Sequence, residues 1–154
     1  MIENLNPSEI DEILELNKGL SIKTWPKSSF EHDLNNDIAL IRVLKKDGEI
    51  IGYYDVWFLF ENADLAFIAV KKEYQHQGYG TKLMKDVINN CLDHSIEFIN
   101  LEVRKDDEKA VGLYRKFGFE EVNVRKDYYG TNRDALCMTR GLVNVEKEDI
   151  NDWI

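Results

Sequence analysis

The stretch Phe67-Ile68-Ala69-Val70-Lys71-Lys72-Glu73-Tyr74-Gln75-His76-Gln77-Gly78-Tyr79-Gly80-Thr81 constrains the chain most, because an apolar strand there empties into two glycines that open an amphipathic helix. A helix N-terminus leaves about four backbone N–H groups without intrahelical partners and carries roughly half a positive charge, so the junction is a seat for an anion. Glycine lets a phosphate approach the backbone closely. Two familiar phosphate motifs do not fit. A dinucleotide fingerprint places a third glycine where this chain has Leu83, and a P-loop needs Gly-Lys-Ser/Thr where Thr81-Lys82 stands in the wrong order. The pattern that remains is Gln75-x-x-Gly78-x-Gly80.

The rest of the sequence says what kind of chain carries this junction. At 154 residues it fits one domain with a substantial core, burying about two-thirds of the surface its unfolded form exposes. No run approaches the roughly 20 apolar residues of a membrane helix, and Met1-Ile2-Glu3-Asn4-Leu5 lacks the basic-then-apolar order of a secretion signal, so the expectation is a cytoplasmic protein that uses no membrane. Cys91 and Cys137 are too few and isolated for a disulfide framework or zinc site and read as free thiols in apolar surroundings; no metal is expected. The net charge of −9, from 29 acidic and 20 basic side chains, argues against nucleic acid, whose backbone demands a basic surface, and favours cationic ligands. Part of the acidity sits in Glu146-Lys147-Glu148-Asp149-Ile150-Asn151-Asp152, which reads as a frayed extension.

Along the chain, Asn6, Pro7 and Glu9 supply a helix cap, a first-turn proline and a capping-box acid, and Ile10, Ile13, Leu14 and Leu16 an apolar stripe, predicting a helix over 7–18. A short helix follows Trp25-Pro26 from Ser28 or Ser29. Residues 38–44 and 50–60 form a hairpin about Lys46-Asp47-Gly48-Glu49. Asn62-Ala63-Asp64 reads as a second turn, and Leu65 to Val70 as the strand that feeds the glycines. A helix over 79–93, a strand over 96–103, a helix over 106–117 closed by Gly118, and strands over 119–124 and 135–139 complete the order. Mixed β and α elements, hairpins first and crossover helices later, predict an α/β (α+β) domain: a mixed, mostly antiparallel sheet of about seven strands flanked by about four helices. Residues 1–143 are assigned to that domain and residues 144–154 to an acidic C-terminal tail.

The Gln75-x-x-Gly78-x-Gly80 pattern resembles the pyrophosphate-binding signature of the GCN5-related N-acetyltransferases, the GNAT superfamily. A second block, Leu101-Glu102-Val103-Arg104-Lys105-Asp106-Asp107-Glu108-Lys109-Ala110-Val111-Gly112-Leu113-Tyr114-Arg115-Lys116-Phe117-Gly118-Phe119, resembles the corresponding series of the bacterial ribosomal-protein-alanine N-acetyltransferases, the RimI-like group. Arg125-Lys126-Asp127-Tyr128-Tyr129 and Asp134-Ala135-Leu136-Cys137-Met138 resemble its Arg-x-x-Tyr-Tyr turn and last strand, and Trp25-Pro26 with Phe30 its substrate loop. The resemblance implies the GNAT fold and acetyl-coenzyme A as cosubstrate. Its backbone partners would be Ile68, Ala69 and Val70 for the pantetheine arm, and His76, Gln77, Gly78, Tyr79, Gly80 and Thr81 for the pyrophosphate, with Gln75 positioning the turn.

Acetyl transfer from a thioester to an amine poses two proton problems: the ammonium must lose one, and the departing thiolate benefits from gaining one. Alternation along the strand puts Leu101 and Val103 on one side and Glu102 on the other, and the resemblance makes Glu102 the general base. Absent the resemblance, Glu102 reads as a surface glutamate paired with Arg104 or a lysine. Asp107, Ala110 and Tyr114 share one helix face, and the resemblance makes Tyr114 the general acid. Asp107 stands where the family commonly has asparagine; an ionised carboxylate only accepts hydrogen bonds, so it either contacts the cofactor differently or caps the helix.

For the acceptor, Trp25, Phe30, Tyr128 and Tyr129 are candidate walls, although Tyr128 and Tyr129 equally read as packing between the last two strands. The resemblance implies a protein or peptide N-terminal α-amine, acetylated by direct transfer in a ternary complex. A small amine of the polyamine type, and a non-catalytic module that binds acyl-CoA, are the other readings. The chain is expected to be a monomer or weak dimer.

Overall fold

The computed structural model describes residues 1–20, 25–151 and 153. Among them are seven strands, β1 (Ile2–Asn4), β2 (Ala39–Lys46), β3 (Glu49–Leu59), β4 (Asn62–Val70), β5 (Phe98–Arg104), β6 (Glu120–Arg125) and β7 (Ala135–Gly141), and five α-helices, α1 (Ile10–Lys18), α2 (Lys27–Leu34), α3 (Tyr79–Asp93), α4 (Glu108–Lys116) and α5 (Lys147–Ile150). The strands follow the order β1-β2-β3-β4-β5-β7-β6 in one sheet. β1 with β2, β2 with β3, β5 with β7 and β6 with β7 pair antiparallel and β4 with β5 parallel, so the sheet is mixed and mostly antiparallel, as the alternation of elements implies. No helix among the described residues is long and apolar enough to cross a membrane. The described chain divides into two compact units, Met1–Trp57 with Phe67–Val87, and Phe58–Ala66 with Ile88–Ile154.

In the first unit the expected cap is present. Asn6 Oδ1 accepts from the Ser8 N–H at 3.2 Å and Glu9 Oε1 from the Asn6 N–H at 2.9 Å, turning the chain through a short 3₁₀ segment into α1. The helix lays Ile10, Ile13 and Leu16 on a core that also holds Phe30, Ile41, Val43, Ile50 and Tyr53, all buried. Polar side chains then fix the elements to one another. Asp86 of α3 accepts from Arg42 Nε at 2.8 Å and from the Tyr54 hydroxyl at 2.7 Å, and Asn17 of α1 accepts from the Tyr53 hydroxyl at 2.9 Å. At Gly52, an added Cβ would stand 3.0 Å from the Ala69 carbonyl oxygen and from Leu83, so glycine lets β3 run this close to the end of β4 without its neighbours giving way.

In the second unit, Leu101 and Val103 of β5 are buried with Leu136 and Met138 of β7, and Val111, Tyr114 and Phe117 are the buried face of the α4 segment. Asn100 joins β4, β5 and β7 in a polar row, donating to Asn62 at 3.1 Å and accepting from Thr139 at 2.7 Å.

Two expectations are corrected. Asn62-Ala63-Asp64 is not a turn: β4 begins at Asn62, and these residues pair in parallel with Phe98, Ile99 and Asn100. The reversal falls on Phe60 and Glu61 instead, with Phe60 in the left-handed region at φ +56°. Turn-forming side chains gave way there to the ladder that their backbone completes. Nor is the acidic end frayed among its described residues. Ile150 is 1% exposed, Lys147 pairs with Asp93 at 2.5 Å, and Trp153 packs edge-on to Phe117 with its ring 4.3 Å from the Arg140 guanidinium. Cys91 is a buried free thiol pushed up to about 12 by burial, and Cys137 is half-buried and free.

Candidate active site

The first unit carries the glycine junction. After β4 the chain makes one 3₁₀ turn, then passes through His76 at φ +64° and Gly78 at φ +87° into α3. The side chain of Gln75 folds back so that Nε2 donates to the Val70 carbonyl at 3.0 Å, tying the turn to the strand end; Gln77 Nε2 donates to the Glu73 carbonyl at 3.2 Å. The helical ladder starts with the Lys82 N–H on the Gly78 carbonyl at 3.2 Å. The N–H groups of Tyr79, Gly80 and Thr81 therefore precede the ladder and have no acceptor within the helix. An added Cβ at Gly78 would meet nothing within 4 Å, so the backbone angle rather than space selects glycine there.

Two lysines lie over the ring of Tyr79, the first residue of α3. Lys82 Nζ lies 5.4 Å and Lys46 Nζ 5.9 Å from the centre of the Tyr79 ring, Lys46 also lies 5.5 Å from Tyr74, and the two tyrosines meet edge to face. Contact with Tyr79 raises Lys46 from its ordinary value, so it stays protonated throughout the physiological range. Sequence reasoning passed over both lysines. Lys82 sits beside the motif, whereas Lys46 lies in the distant β2–β3 hairpin and only the fold delivers it.

The same unit holds Trp25 and Phe30. Phe30 of α2 is 0% exposed, so it offers no surface to a ligand and instead packs behind Trp25 at 5.7 Å between ring centres. Trp25 also stacks on Trp57 at 6.2 Å and meets Phe67 edge-on at 5.7 Å, which leaves it half-buried in a fixed aromatic group.

The second unit carries the candidate acid and base. Glu102 alternates with the buried Leu101 and Val103 as its strand dictates, and its side chain is 29% exposed. Arg125 Nη2 of β6 stands 3.2 Å from Glu102 Oε1, so the partner is neither Arg104, which faces Asp106, nor a lysine. The guanidinium also lies 5.4 Å from the Tyr128 ring centre. Tyr128 and Tyr129 are 52% and 40% exposed and meet at right angles, 5.1 Å between centres. Burial, followed by the charge of Glu102, raises the Tyr129 phenol from its ordinary value.

On α4, Asp107 is the N-cap: Oδ1 accepts from the Ala110 N–H at 3.1 Å. Tyr114, two turns on, is 7% exposed and meets Phe119 edge-on at 5.8 Å. Burial pushes its phenol well above the ordinary value, with smaller contributions from Asp107 and Tyr129, so it remains a proton donor at any physiological pH. Among the described residues no group of three or more histidine, cysteine or carboxylate side chains is placed to hold a metal ion.

The family model described as "Acetyltransferase (GNAT) family" matches residues 10–119. Among curated proteins, a "Putative [ribosomal protein bS18]-alanine N-acetyltransferase" of Bacillus subtilis is 35% identical over 139 residues, 89% of this chain and 92% of that one. An "N-alpha-acetyltransferase" of Sulfurisphaera tokodaii is 29% identical over 154 aligned residues, 92% of both chains. Among solved structures, the ribosomal-protein-S18-alanine N-acetyltransferase of Escherichia coli superposes with a TM-score of 0.86 at 25% identity, covering 92% of each chain.

Proposed function

We infer the activity from one premise: the chain belongs to the acetyltransferase (GNAT) family. It is an N-acetyltransferase, and the reading best supported is transfer of the acetyl group of acetyl-CoA to the N-terminal α-amine of a protein or peptide. The observation that carries it is the similarity, over nine-tenths of the chain, to relatives whose names specify α-amine and ribosomal-protein-alanine acetylation.

The residues of the glycine junction fit the donor. The open N–H groups of Tyr79, Gly80 and Thr81 suit a pyrophosphate, and the ammonium groups of Lys46 and Lys82 beside Tyr79 add positive charge to the same end. The ladder between β4 and β5 among the described residues ends at Asp64↔Asn100, so the backbone of Ile68, Ala69 and Val70 lies outside it and suits an extended pantetheine arm. Asp107 remains a candidate donor contact whose Oδ1 is engaged as the helix cap. When bound, acetyl-CoA supplies an activated thioester carbonyl and a thiol leaving group.

Glu102 takes the proton of the acceptor ammonium, directly or through a water, with Arg125 orienting the carboxylate. An α-ammonium has an ordinary pKa of about 8 and a lysine about 10.4, so near pH 7.5 roughly a quarter of α-amines but only about a thousandth of lysines are already neutral. A modest base therefore favours N-termini. Tyr114, held protonated by burial, donates to the departing sulfur. In the second unit the exposed rings of Tyr128 and Tyr129 suit an extended acceptor backbone, and in the first unit Trp25, supported from behind by Phe30, is a separate aromatic candidate. Mass spectrometry after incubation with acetyl-CoA, N-terminal peptides and polyamines tests the reading. Acetyl on the peptide α-nitrogen is expected; acetyl only on polyamines, or on no amine, overturns it.

A further inference from the structure

Trp25, Ser28, Ser29, His32, Asp33 and Trp57 line an open cavity of about 400 Å³ in the first unit. Trp25 and Trp57 stack with 22° between their planes, and both keep surface exposed. Trp57 Nε1 donates to Asp33 Oδ2 at 2.9 Å, which fixes that indole against the carboxyl. Asp33 is 5% exposed, and Asp55 of β3, which interacts with it, is 0% exposed. Among the described residues neither oxygen of Asp55 has a hydrogen-bond partner. Burial first, and Asp33 second, push the Asp55 carboxyl up to about 9. Asp33 is the member of the pair that meets the cavity.

Two facing buried acids beside stacked indoles cost a fold stability, and apolar side chains of similar size would pack the same space more cheaply. The cost has a use if something positive completes the group. The adjoining cavity shares Ser28 and His32 and adds Glu31 and Asp37, and among the described residues neither lining contains a lysine or arginine. We propose that this cavity binds an organic cation, an alkylammonium or alkylguanidinium group, with its charge at Asp33 and its carbon chain against Trp25 and Trp57. Two sources carry that chemistry, a basic side chain of an acceptor peptide and a free polyamine; naming the first rests on the peptide-acetylating reading above.

The test needs no turnover. The indole N–H of Trp57 is followed by ¹H–¹⁵N spectra at pH 8, above the ordinary range of histidine. N-acetyl-arginine amide, its neutral analogue N-acetyl-citrulline amide, and spermidine are titrated into the whole protein. A saturable shift with the arginine amide or spermidine is expected, at least about tenfold tighter than with citrulline amide. Asp33→Asn, which keeps an oxygen for Trp57, is expected to bring the cation down to the citrulline level. Equal binding of arginine and citrulline amides, an unchanged Asp33→Asn variant, or no saturable shift overturns the proposal; the first and last need no variant to fold. Tighter arginine amide assigns the site to a peptide side chain, tighter spermidine to a free amine. Binding of the blocked amide without acetylation of any amine leaves the site standing and sinks the acceptor reading. Acetylation of peptides with no binding of any cation here does the reverse.

Discussion

Gly78 and Gly118 have nearly the same φ, +87° and +85°, in different surroundings, and alanine at each separates strain from contact. The left-handed conformation costs an L-residue about 1 to 2 kcal/mol at either position. At Gly78 nothing adds to it, because a Cβ meets no atom within 4 Å. At Gly118 the same Cβ lands 2.7 Å from Arg140 Nε and 3.0 Å from Cζ. That guanidinium is tethered: Nε donates to the Phe117 carbonyl and Nη1 to the Gly141 carbonyl, each at 2.9 Å, and the group lies 4.3 Å from the Trp153 ring. Moving it gives up at least one charge-assisted hydrogen bond, about 1.5 to 3 kcal/mol. Gly78→Ala should therefore cost about 1 to 2 kcal/mol and Gly118→Ala about 2.5 to 5. For a chain of 154 residues these are drops of about 2 to 8 °C and at least about 5 °C in Tm, read by circular dichroism. In an Arg140→Ala background the Gly118 cost should fall to the Gly78 level. An acetyl-CoA titration supplies the second axis: Gly78→Ala should weaken binding about tenfold by re-aiming the helix-end N–H groups, and Gly118→Ala by less than about twofold. Equal melting losses for the two variants, or an Arg140 background that changes nothing, would refute the reasoning.

Tyr114→Phe keeps the edge contact with Phe119 and loses only the hydroxyl, so kcat should fall about a hundredfold while acetyl-CoA affinity and Tm hold. Because burial raises the phenol, stability tied to Tyr114 is complete below pH 10 and is lost as pH rises further; the phenylalanine variant should lack that alkaline loss in a melting series. Glu102→Gln should also lower kcat about a hundredfold while acetyl-CoA affinity holds. Asp55, with its carboxyl raised to about 9, binds a proton when folded that the unfolded chain has released, so its stabilising contribution is full below about pH 4 and is lost as pH rises toward 9. Asp55→Asn should stabilise the protein by at least about 1 kcal/mol at pH 8 and little at pH 4, measured by urea denaturation.

What was legible in the sequence was local. The Asn6 cap, the Gly78 junction, the alternation that turns Glu102 away from Leu101 and Val103, and the Asp107 cap each depend on a few neighbouring residues. What was not legible depends on register. Lys46 reaches Tyr79 only through the β2–β3 hairpin, Arg125 reaches Glu102 only because β6 and β5 both pair with β7, and Asp33 meets Trp57 across distant elements. Phe30 illustrates a third case: its type suits a ligand wall and a core equally, and only packing against Tyr53 and Trp25 decides for the core. At Asn62 turn propensity pointed one way and pairing with Phe98 the other, and pairing prevailed.

The most direct measurement is thiol release from acetyl-CoA with an alanine-initiated basic peptide and with the same peptide blocked at its α-amine. Saturable turnover on the free peptide, absent on the blocked one and reduced about a hundredfold in both Glu102→Gln and Tyr114→Phe, is the result predicted. Equal release with both peptides, or full activity in both variants, would contradict the account.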